Sequence, residues 1–325
     1  MERIASDTSH CHGVTLPLVR SRFQPWQLAL LLIAICVASV AGVYLYRARG
    51  GSDPSALASY LPTTNATVVY VDVDALRRSG ILKMITGSKA AEELEYRQFV
   101  DQTSFDYRED LDSVAAAFKD GQVFFALKGR FHWKNLMDYA VRQGGSCHNS
   151  FCTAPSSRPN RRISFYPVRP DLMGLAISQD DFAAYQVARK SGTLTLAPPL
   201  QPVWVLVPAM ALRNADSLPA GTKPYASALR NAQEIVFTIG SQDDHLQLSL
   251  NVQCRDAKEA SALQRDFENT TDTLRKWIVQ EHQHPNPTDL SGVLVSGTFR
   301  REDKRLYGQW PISRAFVDAM VGESF

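Results

Sequence analysis

The sequence predicts an α+β fold, with an N-terminal transmembrane helix followed by two tandem, similar α+β units built on antiparallel sheets. Three observations carry this. A charge-free apolar run lies near the N-terminus, pairs of apolar stretches flank polar turns, and the pattern of the first half of the body returns in the second. The 325 residues suffice for one large domain or two ordinary ones. Hydrophobic residues make up 45% and charged ones 21%, which excludes disordered, collagen-like and multi-span classes. Lys+Arg 35 against Asp+Glu 33 leaves +2, so no bulk field draws nucleic acid and none is expected as a partner.

The first element is the run QLALLLIAICVASVAGVYLY, residues 27–46. As a helix it would measure roughly 30 Å, the depth of a bilayer core. Trp26 precedes it and Tyr44 and Tyr46 end it, placing amphipathic rings at both headgroup levels. Ser39-Val40-Ala41 is a rival cleavage site, but the long polar lead and the apolar residues beyond Ala41 favour a retained anchor. Ile35 before Cys36 fits a lipoprotein signal poorly. Arg20 and Arg22 nearly balance Arg47 and Arg49, and Arg3 tips the count towards an inside N-terminus. The expected layout is a cytoplasmic tail (1–26), the span (27–46), a tether (47–62) and the body outside the cytoplasm, in a bacterial inner membrane.

The body repeats itself. VVYVDVDALRR (68–78) matches VWVLVPAMALRN (203–214), both β-rich runs leading into Ala-Leu-Arg. SVAAAFKDGQVFFALKG (113–129) matches EIVFTIGSQDDHLQLSLNV (234–252), each two apolar runs around a polar turn, as in a hairpin. A helix follows each. The first, HWKNLMDYAVRQGG, ends at Gly144-Gly145. The second opens at Asp256 with Glu259 three residues on, a capping box, and carries Ala260, Leu263, Phe267, Leu274 and Ile278 at helical spacing. Residues 163–188 then match 293–320 as a hairpin running into an amphipathic helix. Units at 63–194 and 203–325, with a linker at 195–202, are expected, helices on one face of each sheet.

An anchor followed by LPTTNATVVYVDVDALRRSG and GRFHWKNLMDYA resembles single-pass extracytoplasmic proteins of soil bacteria, acidobacterial ones in particular, a group with no known activity. The resemblance covers most of the body. It implies location and lineage, and no functional residue transfers with it.

Cys147 and Cys152 lie in GGSCHNSFCTAPSSRPN, a polar stretch read as a loop. Two cysteines so close point to a disulfide in an oxidising compartment. A redox pair lacks C-x-x-C spacing, and a zinc half-site with His148 lacks a second cysteine pair. Cys254 ends an alternating strand and reads as a small core residue. Arg158, Arg161 and Arg162 cluster next to this stretch, and guanidinium groups suit carboxylate or phosphate partners. They are the candidate binding residues, for an envelope protein face, an anionic glycan or a lipid.

VVYVDVDAL also resembles the nucleophile strand of haloacid-dehalogenase-type phosphatases, with Asp72 as nucleophile, Asp74 as acid/base, and Asp180 and Asp181 helping to hold a metal. Ala75 and Leu76 replace the small turn that chemistry needs, and hairpins replace the parallel sheet. His10-Cys11-His12, and His282 with His284, are weak ligand sets. No G-x-S-x-G, H-E-x-x-H or phosphate-binding glycine loop occurs. The expectation is a non-enzymatic, membrane-anchored binding or scaffold protein of the cell envelope, without cofactor or metal. The alternatives are an anchored metal-dependent phosphatase using Asp72 and Asp74, and a solute- or lipid-binding module.

Overall fold

A computed structural model describes residues 53–86, 94–189, 192, 194, 197–208, 223–242, 245–280 and 284–323. The tail (1–26), the span (27–46) and the start of the tether lie outside the described residues. So do Cys11, Cys36, His10, His12 and His282. Among the described residues no helix is long and apolar enough to cross a membrane.

Strands alternate with short helices. In chain order the first half reads α1 (Pro54–Ala58), β1 (Thr67–Asp72), α2 (Val73–Arg78), α3 (Ile81–Thr86), α4 (Leu94–Thr103) and α5 (Tyr107–Asp110). It continues through β2 (Leu111–Lys119), β3 (Gln122–Gly129), α6 (Trp133–Arg142), β4 (Ser146–His148), β5 (Phe151–Pro155), β6 (Arg162–Arg169) and β7 (Leu172–Ser178). A 3-10 helix, Ala183–Arg189, closes it, where the sequence predicts an amphipathic α-helix. The second half holds β8 (Val203–Pro208), α7 (Lys223–Ala228), β9 (Glu234–Gln242), β10 (His245–Gln253) and α8 (Ala257–Gln280). Then come α9 (Leu290–Val295), β11 (Thr298–Glu302), β12 (Arg305–Ile312) and α10 (Arg314–Glu323).

Among the described residues, twelve strands form one sheet, in the order β11-β12-β10-β9-β8-β1-β2-β3-β7-β6-β5-β4. Every neighbouring pair is antiparallel. The architecture is α+β. At the seam β1 pairs with β8, Tyr70 opposite Trp204. Both rings are about 1% exposed and stack at 5.4 Å. The chain between the halves therefore joins two parts of one continuous sheet.

Strand alternation sorts the cores by face. On one face Val68, Tyr70, Ala115, Ala117, Phe124 and Trp204 form a core with Leu57, Leu61 and Val187. On the other face Leu127, Phe165, Met173 and Leu175 pack with Leu136 and Ala140 of α6. That same face continues in the second half as Val205, Ile235, Leu250, Val252, Leu306 and Trp310 under Leu263 and Phe267 of α8. Opposite α8, β10 presents the polar residues Gln247, Ser249, Asn251 and Gln253, the pattern of a sheet with one wet face.

Local chemistry explains the boundaries. Glu259 N–H donates to the Asp256 carboxylate at 2.8 Å, and Arg255 N–H donates to Glu259 at 2.8 Å. This fixes the start of α8 as the capping pattern predicts, with the return bond one residue earlier than in a standard box. Gly144 takes φ +79, and a Cβ on Gly145 would meet the Thr153 carbonyl at 2.0 Å. The two glycines thus end α6 and let the chain pass close to β5. The expected tether is shorter than its 47–62 limits: α1 starts at Pro54, and Leu57, Ala58 and Leu61 are buried in the core. Apolar residues at this spacing belong to the body, because burying them stabilises it at roughly 25 cal/mol per Å².

Candidate functional site

The outer end of the first half brings the sequence-predicted residues near one another, in a form the sequence did not suggest. Cys147 and Cys152 sit on a hairpin, β4–β5, and not in an irregular loop. They face each other across the strands and form a disulfide. The two turn residues, Asn149 and Ser150, have φ of 48 and 66, as a two-residue primed turn requires. Asn tolerates this conformation and Ser does so poorly, so the hairpin signal was weaker than an Asn-Gly pair would have given. The disulfide holds the hairpin closed where the turn alone would favour it less.

The three arginines diverge. Arg158 is exposed in the β5–β6 connection. Arg161 donates to the Gly121 carbonyl, tying this connection to the β2–β3 turn. Arg162 Nε lies 3.0 Å from Asp181 Oδ1, close enough for an ion pair though not aligned as a hydrogen bond. Its Nη2 also reaches Thr153 Oγ1 at 3.5 Å. Two of the three guanidinium groups are therefore engaged within the protein, Arg161 by a hydrogen bond and Arg162 by an ion pair, and only Arg158 has neither at its guanidinium among the described residues.

Beside them lies an aromatic cluster that sequence reading missed. Tyr185 stacks on Phe151 at 4.3 Å, Phe182 stacks on it at 5.7 Å, and Tyr166 meets Tyr185 at 5.2 Å. Phe151 is buried, whereas Phe182 is 63% and Tyr185 45% exposed. The Tyr166 hydroxyl is buried without a hydrogen-bond partner among the described residues, and burial pushes its pKa up to about 12. The phenol stays neutral at physiological pH. The available signal was four aromatic residues around two turns, but nothing in their spacing shows that β5, β6 and the 3-10 helix converge.

The acidic residues of the phosphatase alternative do not assemble. Asp72 caps α2 by accepting from Ala75 N–H at 2.8 Å, and Asp74 pairs with Arg77 at 3.0 Å and Arg78 at 3.1 Å. Register places Asp72 level with Ser113, Lys128 and Leu172, at the start of β7. Asp180 and Asp181 follow the far end of β7. Three strand spacings and the length of β7 put them about 25 Å from Asp72. Asp180 accepts from Phe182 N–H at 2.9 Å. Among the described residues no three His, Cys, Asp or Glu side chains converge as metal ligands would. His132 precedes α6, His148 ends β4, and His284 is exposed in a loop, so these histidines are apart.

Trp204 and Trp310 are core, 1% and 4% exposed. Cys254 is buried and free, and burial pushes its thiol up to about 11.

No family model matches the chain, and no curated protein matches it. Solved structures of TP0453 are similar in outline. Crystal form IV has a TM-score of 0.43 at 12% identity, covering 82% of this chain and 96% of that one. Form I gives 0.42 at 13%, covering 81% and 96%, and form III gives 0.46 at 11%, covering 82% and 97%.

Proposed function

We propose that the protein is a membrane-anchored binding or scaffold module of the bacterial cell envelope, its body outside the cytoplasm and its role non-catalytic. The observation that carries this reading is the disulfide between Cys147 and Cys152 on an outlying hairpin. Such a bond persists in oxidising compartments and is rare in the cytosol of ordinary cells. The apolar run at 27–46 supports an anchor of about one bilayer depth. The body then begins only a few residues beyond the membrane, since α1 is already part of the core.

The body reads as two copies of one unit. Outward from the seam the order is β1-β2-β3-β7-β6 on one side and β8-β9-β10-β12-β11 on the other. These strands correspond pairwise to the sequence repeat, with α6 and α8 in matching places. The β4–β5 hairpin has no counterpart in the second half among the described residues. It is the elaboration on which recognition is placed, with Arg158 and the neighbouring rings as contact groups. The separation of Asp72 from Asp180 and Asp181 argues against the phosphatase.

Fractionation of cells expressing the full chain tests the anchor. The protein should pellet with membranes and resist alkaline carbonate. Release into the carbonate supernatant would contradict it.

A further inference from the structure

On the face opposite α6, the outer end of the sheet presents two adjoining rows of different chemistry. One row is polar. Ser146 Oγ and Thr153 Oγ1 are 3.2 Å apart, and Arg162 links Thr153 to the Asp181 carboxylate. Arg162 and Asp181 remain accessible, with side chains 41% and 48% exposed. The other row is aromatic. Phe151 forms its floor, and the rings of Phe182 and Tyr185 lie within 7° of parallel, 6.5 Å apart.

A cluster that served packing alone would turn its largest rings inwards. Here the inner ring is buried, while Phe182 and Tyr185, both stacked on it, remain 63% and 45% exposed. Such rings offer a flat, electron-rich platform. Alongside it stand the exposed Ser146 hydroxyl, a guanidinium and a carboxylate, groups that donate and accept in fixed directions, whereas Thr153 is buried. A pyranose ring has the complementary pair of surfaces: a patch of axial C–H bonds and a rim of hydroxyls. A bilayer fits less well, because Asp180 and Asp181 immediately precede Phe182 and carboxylates are costly in hydrocarbon.

We infer that this shelf binds an oligosaccharide of hexopyranose units, one sugar face stacking on Phe182 and Tyr185 while its hydroxyls meet the Arg162–Asp181 pair. This rests on the reading of the protein as an extracytoplasmic binding module, and it names the ligand class of that same end of the sheet.

The test uses the full chain in detergent micelles, with chitotetraose, cellotetraose and mannotetraose as probes. Saturation-transfer NMR should show contact to the axial ring protons of at least one probe. Phe182→Ala and Tyr185→Ala should each weaken it about tenfold or more, which corresponds to about 1.4 kcal/mol. Asp181→Asn should also weaken it, with circular dichroism and the disulfide unchanged. No transfer from any probe, or transfer unaltered by these variants, would overturn the inference. Strong quenching of a bimane on Phe182→Cys by doxyl lipids, in phosphatidylethanolamine–phosphatidylglycerol vesicles, would place the shelf against the bilayer and also overturn it. Carbonate extraction and thiol state are scored on the same samples. An anchored, oxidised chain that binds no probe loses only the glycan inference, whereas a soluble, reduced chain loses the envelope reading itself.

Discussion

Asp106 accepts from the Tyr96 hydroxyl at 2.7 Å, from Arg108 N–H at 2.9 Å and from the Arg108 guanidinium at 2.6 Å. These contacts tie α4 to α5 ahead of β2. The Arg108 side chain is the main reason that the Asp106 pKa is lowered to about 2. A carboxylate held below its ordinary 3.8 contributes stability above that value, and loses it as pH falls towards 2. Asp106→Asn should therefore cost about 2 kcal/mol at pH 7. The gap between variant and wild type should close between pH 4 and pH 2, as read by urea midpoints. A gap independent of pH would show that the charge contributes nothing. Cys254 offers a second residue-level prediction. Burial raises its pKa to about 11, so it should react with a thiol reagent at pH 8 only after unfolding. Side-chain identity made Cys254 legible, because a small apolar residue ending an alternating strand has few other uses. Asp72 and Asp74 were ambiguous for the converse reason: the same residue types serve helix caps and catalytic carboxylates, and the structure shows Asp72 capping α2 and Asp74 paired with Arg77.

The elements that sequence patterns revealed were those with strong periodicity. The apolar positions of α8 fall as expected, with Ala260, Leu263, Phe267 and Ile278 buried. Asp256→Ala should cost about 1 kcal/mol by removing the cap, measured in thermal or urea unfolding. Hairpins β2–β3 and β9–β10 were equally plain, since two-residue alternation and polar turns mark them. The β4–β5 hairpin was not, because β4 is only three residues long and its turn lacks glycine. Its disulfide spans a sequence separation of 5. Replacing both cysteines should thus cost no more than about 2 kcal/mol by the loop-entropy relation. A larger loss would mean that the hairpin supports the core beneath it. The sheet ends in a short stapled strand, β4, on one side. On the other it ends in β11, which carries Arg300, Arg301 and Glu302. Both are features that discourage edge-to-edge pairing.

Across the whole molecule, the α+β class and the antiparallel pairing were legible and the continuity of the sheet was not. Alternation and polar turns mark neighbouring strands, but pairing between β1 and β8 depends on a contact far apart in the chain. Trp204 marks that seam: it stacks on Tyr70 and lies in the core that also holds α1 and the 3-10 helix. Trp204→Ala should destabilise the protein by about 3–5 kcal/mol. A double-mutant cycle with Tyr70→Leu should give a coupling of about 0.5–1.5 kcal/mol. Zero coupling would mean that this stacked pair adds nothing to a seam held by the backbone ladder and by the packing of Leu76 and Ile81 against Leu246 and Val317. The candidate site was half legible for a related reason. Cysteine spacing pointed to the disulfide but not to the hairpin that carries it, whereas the shelf of Phe151, Phe182 and Tyr185 exists only once separate elements converge.

The proposal that the body lies outside the cytoplasm is tested most directly by thiol labelling in intact cells. The chain would carry Cys11→Ala, Cys36→Ala and Cys254→Ala and meet a membrane-impermeant maleimide. The account predicts that Cys147 and Cys152 label only after mild reduction, without lysis. Labelling that needs lysis and no reductant would place free thiols in the cytoplasm and contradict it.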